Sequence, residues 1–550
     1  MRSTIIKVHP DDNVLVALAD LKKGDVVTND GEYYTLLDDV KAKHKFVSEA
    51  IPESGDVIMY GVLVGKTQIS LQKGNVLSTS NIKHAANNFI TGERKTSWNI
   101  PNVSEFENRS FQGYHRSDGN VGTSNYWLVI PLVFCENRNL KVLEEALTTP
   151  LGYSRGNAYH DQVSNLVELY NEGGSIDALL NGPLYVENTG PKQKRIFPNI
   201  DGIKFLTHEG GCGGTRQDAE TLCGLLAGYI THSNVAGATI LSLGCQNAQV
   251  SILQAEILKR DPEFDKPLFI LEQQQIGAED SLIQLAINQT FSGLVEANKH
   301  VRKPAPLSKI CIGLECGGSD GFSGISANPA IGYTSDLLVA LGGTVILSEF
   351  PELCGVEQNL SDRCVSFEQA ERFSLLMRTY NDRAMAVGSG FDMNPSPGNI
   401  KDGLITDAIK SAGAAKKGGT SPIVEILDYP EKVRLTGLNL LCTPGNDVES
   451  TTAEVGSGAN IVLFTTGLGT PTGNPIAPVV KIASNTTLFN KMGDIMDINT
   501  GTIIEGDETI EQAGRRILDY VIKVASGEIE VKAVKHGQED FIPWKRGISL

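Results

Sequence analysis

The feature that most limits what this chain can fold into is a repeated alternation of a short apolar run, a glycine-rich loop and a helix-length stretch. The apolar runs are WLVIPLVFC at 127–135, GIKFLTH at 202–208, GATILSLGC at 237–245, KPLFILE at 266–272, NLLCTP at 439–444 and ANIVLFTTG at 459–467. They are continuous rather than alternating, the pattern of strands buried on both faces, and strands separated by helices make a mostly parallel sheet. The first 92 residues differ. Their short alternating runs, separated by turns such as KKGD, TNDG and PESGD, predict a small β-rich domain. The expected fold is therefore α/β: a β domain over 1–92, a polar linker over 93–112, and two α/β segments over 113–304 and 305–550.

The stretch from 313 to 352, GLECGGSDGFSGISANPAIGYTSDLLVALGGTVILSEFPE, holds the densest chemistry. It reads as a strand end, a glycine loop, a helix and a second strand. A right-handed crossover between parallel strands delivers both strand ends to one edge of the sheet, where open α/β folds bind ligands. Glu315 and Asp320 follow the first strand, and Glu349 and Glu352 the second. Carboxylates beside glycine-rich backbone suit Mg²⁺, Mn²⁺ or Fe²⁺, and His or Cys would add softer donors. His208, Cys212 and Cys245 lie in comparable loops. Arg116, Lys401 and Lys417 adjoin glycine loops and could receive an acidic substrate. Any one of these side chains serves equally well as a helix cap, a core group or a solvated charge.

The net charge of −17 argues against nucleic acid as a partner, since phosphate binding needs clustered cations. No run of about 20 apolar residues is present to span a bilayer, and His9, Asp11, Asp12 and Asn13 interrupt any leader-like apolar core near the start. Nine cysteines without a CxxC pair fit a reducing compartment, so a cytoplasmic location is expected. There is no GxxxxGK[ST], HExxH or GxSxG to name a reaction.

The ordered segments GYHRSDGNVGTSN, ECGGSDGFSGISANPAIG, ILSEFPE, NPSPGNIKDGL, VLFTTGLGTPTGNP and MDINTG resemble the altronate and galactarate dehydratase family of sugar-acid dehydratases. The likeness covers nearly the whole chain, and its N-terminal part is similar to the SAF, or β-clip, module. It implies removal of water from a six-carbon sugar acid, altronate first and galactarate second, to give a 2-keto-3-deoxy acid (2-dehydro-3-deoxygluconate from altronate). It also implies assistance by a divalent metal, Fe²⁺ or Mn²⁺ ahead of Mg²⁺. On this reading Glu315, Glu349 and Cys212 hold metal, and His9, His208 and Glu349 serve acid–base chemistry. Arg116, Asp118, Ser319, Asp320, Lys401 and Lys417 hold the substrate, and a homodimer is one assembly open to the chain. One departure stands out: altronate-type members carry an HxH pair in a stretch like HTHN, where this chain has Ser78, Thr79, Ser80 and Asn81. Two other classes stay open. One is an iron–sulfur dehydratase using Cys135, Cys212, Cys245 or Cys316, although no cysteine triad has cluster-like spacing. The other is a non-catalytic sugar-acid binding protein.

Overall fold

The computed structural model of the protein describes residues 3–86, 89–90, 92–154, 158–182 and 194–549. The N-terminal β domain is built of short antiparallel strands, among them Val14–Ala17, Val26–Asn29, Glu32–Thr35, Asp56–Met59 and Val62–Thr67. Each strand is too short to bury a core alone, and the domain leans on the rest of the chain. Val14, Val47, Met59 and Val64 belong to one apolar core that continues through both α/β segments.

Between the β domain and the first parallel sheet lies a three-stranded antiparallel ribbon in which Ser110–His115 pairs with Val121–Gly122 and with Lys303–Pro306. The predicted linker over 93–112 thus ends inside a strand, and Phe106 and Phe111 are fully buried. The continuous apolar runs become two wholly parallel sheets. The first has four strands in the order Gly202–Phe205, Tyr126–Pro131, Val235–Ser242 and Leu268–Glu272.

The second has seven, in the spatial order Ile423–Leu427, Gly437–Leu441, Thr344–Leu347, Cys311–Cys316, Ile461–Thr466, Val479–Ala483 and Ile498–Asn499. Cys311–Cys316 is central. The chain leaves it to one side through the helix Ala327–Ala340 and Thr344–Leu347, and later returns to its other side as Ile461–Thr466. That reversal is a topological switch point, and the carboxyl ends of the flanking strands open a crevice there. The stretch NPSPGNIKDG, whose prolines and glycines predict irregular structure, contains a short helix at Pro397–Lys401. Pro397 occupies the first turn, where no backbone donor is needed, and Ser396 and Asn399 cap it reciprocally.

Candidate active site

Five loops or helix starts converge on the carboxyl edge of the seven-stranded sheet. Cys311–Cys316 ends in Glu315 and Cys316. Thr344–Leu347 runs into Ser348, Glu349 and a 3-10 turn, Phe350–Leu353, that carries Glu352. The helix Asp407–Ala414 and the turn Ala415–Gly418 supply Lys410 and Lys417. These lysines are seven residues apart, two helical turns, so a helical pattern sets them on one face. Asp447 opens the helix Asp447–Ser457, which also carries Glu454.

Small residues make room for the acids. A Cβ on Gly317 would fall 1.8 Å from Oδ2 of Asp447, and one on Gly313 would fall 2.4 Å from Oε2 of Glu454. Glu349 sits in the left-handed region at φ 60°, unusual for a residue other than glycine. This conformation costs on the order of 1 kcal/mol and persists where the surroundings over-determine it, as at functional sites. Here the Glu349 amide donates to Oγ1 of Thr443 at 2.8 Å.

The cluster is dry and charged. Glu315, Glu349 and Lys417 are almost wholly buried. The Lys417 ammonium is paired with Glu349 and lies 3.0 Å from the Cys316 sulfur. Lys410 donates to Glu352 at 2.6 Å and to Asn394 at 2.7 Å. The Cys316 amide donates to Glu349 at 3.2 Å, and its thiol reaches Glu352 at 3.2 Å. Ser348 and the Leu314 amide both donate to Glu454.

Burial pushes Glu315 well above the carboxylate range, and the neighbouring Glu349 and Glu454 carboxylates push it further. Burial opposes ionisation of Glu352 too, but Lys410 and Lys417 outweigh it and hold that acid below its ordinary value. Asp447, half-buried, is pushed up to about 7 by burial and by Glu349 and Glu352. Glu454 is pushed up to about 8, mainly by burial. Lys417 stays an ammonium, because the thiol and carboxylates around it overcome the desolvation. Acids with separated proton affinities beside fixed cations are the materials of acid–base catalysis.

The same acids can hold a cation. Glu315, held protonated, shares a hydrogen bond with the Glu349 carboxylate, and no other donor reaches either oxygen of Glu315 or Oε1 of Glu349, all three of them buried. A buried acid pair held together by one shared proton is a site where a divalent cation could take that proton's place. One oxygen each from Glu315, Glu349 and Asp447 lies within 4.8 Å of the others, and so do ligating atoms of Cys316, Glu349 and Glu352. The all-oxygen group matches a hard or borderline divalent ion; the thiol-bearing group is already neutralised by two lysines.

Of the residues singled out in the sequence, this edge gathers Glu315, Cys316, Glu349, Glu352 and Lys417. Asp320 is nearby but committed. It is fully buried and accepts from Ser323, Phe322, Ser484 and Asn485, and it pairs with Lys43 of the β domain at 3.0 Å. It therefore pins the glycine loop to the β domain. Ser319 uses its carbonyl to hold Asn399, and the Lys401 carbonyl meets His44 at 3.1 Å while its side chain is exposed.

The others fall elsewhere. Arg116 lies where the strands Tyr126–Pro131 and Val235–Ser242 begin, donating to the Ser233 carbonyl at 2.7 Å and to Asn125 at 3.0 Å. Burial pushes its guanidinium down to about 10. Asp118 closes its own turn through the Asn120 amide at 2.9 Å. His9 sits on the β domain, where its Nδ1 accepts from the Asp11 amide. His208 and Cys212 line a cavity of about 360 Å³ with Trp544 and Lys545 at the end of the four-stranded sheet. There Nε2 of His208 donates to the Pro131 carbonyl at 2.7 Å and Nδ1 accepts from the Gly210 amide, and burial lowers its pKa to about 4. It is a satisfied, neutral core histidine. Ser78 and Asn81 close a turn on themselves, the Ser78 amide donating to Oδ1 of Asn81 at 2.8 Å. Among the described residues, no convergent group of potential metal ligands contains more than one cysteine.

Comparison with known proteins agrees with this architecture along the whole chain. Residues 3–85 match the altronate/galactarate dehydratase SAF domain, and residues 113–298 match the second domain of D-galactarate dehydratase/altronate hydrolase. Residues 307–549 match the C-terminal domain of D-galactarate/altronate dehydratase. An altronate dehydratase of Bacillus subtilis (strain 168) is 32% identical over 100% of both chains. An altronate dehydratase of Escherichia coli (strain K12) is 32% identical over 99% of both. Galactarate dehydratase (L-threo-forming) of E. coli (strain K12) is 30% identical over 95% of this chain and 93% of its own. The six ordered sequence motifs, the SAF domain followed by two parallel sheets, and these full-length likenesses place the chain in the altronate/galactarate dehydratase family.

Proposed function

We propose that this protein is a hydro-lyase that removes water from altronate to give 2-dehydro-3-deoxygluconate, and that the acid–lysine cluster at the switch point is where it does so. The observation that carries the reading is Glu352, an ionised buried carboxylate in contact with the protonated Lys410, beside the buried acids Glu315 and Glu349. Two full-length relatives named altronate dehydratase favour altronate over galactarate.

The reaction needs a base for the C2 proton, an acid for the departing C3 hydroxyl, and positive charge where the enediolate develops. Glu352 takes the C2 proton. Lys410 protonates the C3 oxygen as the C3–O bond breaks and a C2=C3 double bond forms, so that water leaves. Lys417 balances the negative charge that builds on the substrate carboxylate. The resulting enol gives up the proton of its C2 hydroxyl as it takes one at C3, becoming the 2-keto acid, and passage of the proton held by Glu352 to the neutral Lys410 amine resets the pair. Glu315, Glu349 and Asp447 would hold a divalent ion, Fe²⁺ or Mn²⁺ ahead of Mg²⁺, with Cys316 at hand as a softer donor. When bound, such an ion acidifies the C2 proton and stabilises the enediolate. All nine cysteines are free thiols and no described helix is long and apolar enough to cross a membrane, which supports a cytoplasmic setting.

The test is an assay of the purified protein, supplied with Fe²⁺, Mn²⁺ or Mg²⁺, against a panel of hexonates and hexarates, with 2-keto-3-deoxy acid as the readout. Altronate turned over fastest is the expected result. No product from any acid with any metal would overturn the dehydratase reading, and galactarate turned over fastest would overturn the substrate.

A further inference from the structure

A second group of metal-ligating side chains lies where the N-terminal β domain meets the C-terminal segment. His84, Cys354 and Asp407 each place one ligating atom within 4.8 Å of the other two. They come from three separate pieces of chain. His84 follows the strand Ile82–Lys83 of the β domain, Cys354 ends the turn Phe350–Leu353, and Asp407 opens the helix Asp407–Ala414. The pieces pack closely: a Cβ on Gly355 would lie 3.3 Å from Ala408, tighter than ordinary contact, and 3.4 Å from Ala86.

The Cys354 thiol hydrogen-bonds the Asp407 carboxylate and Ser411 Oγ lies 3.5 Å from its Oδ1, which accounts for part of Asp407 but not for Oδ2. An acid at a helix start usually caps it, but here Thr406 is the cap, its Oγ1 accepting from the Ile409 amide. The Asp407 side chain is 1% exposed, and its Oδ2 has no hydrogen-bond partner. A buried carboxylate oxygen aimed into a group that also contains an imidazole and a thiol is short of one thing, a cation.

The donor set narrows the cation. One nitrogen, one sulfur and one oxygen suit Zn²⁺, Fe²⁺ or Co²⁺, whereas Mg²⁺ and Ca²⁺ prefer oxygen alone. A thiolate and a carboxylate would balance the ion's two charges. Three protein ligands leave a fourth position to water or another small ligand. The position also matters mechanically, because Cys354 is two residues from Glu352 in the same turn, and His84 is on another domain.

We propose that His84, Cys354 and Asp407 form a transition-metal site, separate from the acid–lysine cluster, that clamps the N-terminal β domain onto the turn bearing Glu352. The ion binds across the domain junction, so it ties the two bodies together and stabilises the fold by binding only when they are docked.

The full-length protein, stripped with a chelator and titrated with Co²⁺, tests this without reference to any substrate. A thiolate-to-cobalt charge-transfer band should appear, disappear in both Cys354→Ser and His84→Gln, and persist in Cys316→Ser. Metal analysis should find one fewer ion per chain in the first two variants, and Zn²⁺ should raise the melting temperature of the wild type but not of His84→Gln. Asp407→Asn, nearly isosteric, covers the case in which Cys354→Ser does not fold, and it should weaken Co²⁺ binding at least tenfold. A band that is absent, that survives Cys354→Ser, or that depends on Cys354 but not on His84 overturns the interdomain site.

Discussion

The carboxyl edges of the two parallel sheets look alike in sequence and differ in chemistry. Both carry glycine-rich loops with acids, cysteines and, for the smaller sheet, a histidine. At the four-stranded edge, however, His208 has both ring nitrogens engaged, is neutral, and shares its cavity with the C-terminal tail. At the seven-stranded edge buried ionisable groups face one another, Glu349 paired with Lys417 and sharing a hydrogen bond with the protonated Glu315. Polar loops at strand ends are therefore common property of the fold; a buried cluster of acids and lysines is what sets the seven-stranded edge apart as the proposed site.

The largest effect that sharpens this contrast is expected from Lys417→Met. Removing one partner of a buried ion pair leaves the Glu349 carboxylate uncompensated and should cost about 3–5 kcal/mol of stability by denaturant titration, together with loss of turnover. Stability within about 1 kcal/mol of wild type would show that the pair is not fully desolvated. Next comes Glu352→Gln, which should lower kcat on altronate by roughly 10²–10⁴-fold with KM little changed, the signature of a lost proton acceptor. An equal loss confined to KM would make Glu352 a binding group.

The other edge should respond in stability and not in catalysis. His208→Gln should cost about 1–3 kcal/mol, through a buried carbonyl deprived of its donor, while activity per folded molecule holds within a few-fold. The same histidine gives a pH dependence whose sign is fixed. Its folded pKa of about 4 lies below the ordinary 6.5, so the unfolded chain binds the extra proton between them. The stabilisation is fully present above pH 6.5 and is lost as pH falls toward 4, by about 3 kcal/mol at most. His208→Gln should flatten that limb of the stability curve. The smallest effect belongs to Cys212→Ser: an exposed thiol should change stability by less than about 0.5 kcal/mol and leave turnover intact.

How far the sequence reveals this follows from the range of the interactions. Continuous apolar runs set the strands, and the crossover rule alone set Glu315 and Glu349 on one edge, because both are consequences of local pattern and chain handedness. Lys410 and Asp447 were out of reach, since they arrive from helices roughly a hundred residues downstream and their register against the sheet is a matter of packing. The lysine spacing was a visible hint, as Lys410 and Lys417 share a helical face. Arg116 shows a long-range contact the sequence does not display. A cation beside a glycine loop reads as an anion site, yet it serves the backbone carbonyl of Ser233, a contact made across more than a hundred residues of chain. Asp320 reads as a ligand, and the fold also makes it a joint between domains, because Lys43 reaches it from the β domain.

The most direct test of the central claim compares the two edges in one experiment: the rate of 2-keto-3-deoxy acid formation from altronate by wild type, Glu352→Gln, Lys410→Met and His208→Gln, each corrected for folded fraction. The account predicts losses of at least a hundredfold for Glu352→Gln and Lys410→Met and rates within a few-fold of wild type for His208→Gln. Full activity in Glu352→Gln, with loss in His208→Gln, would move the reaction to the four-stranded edge and contradict it.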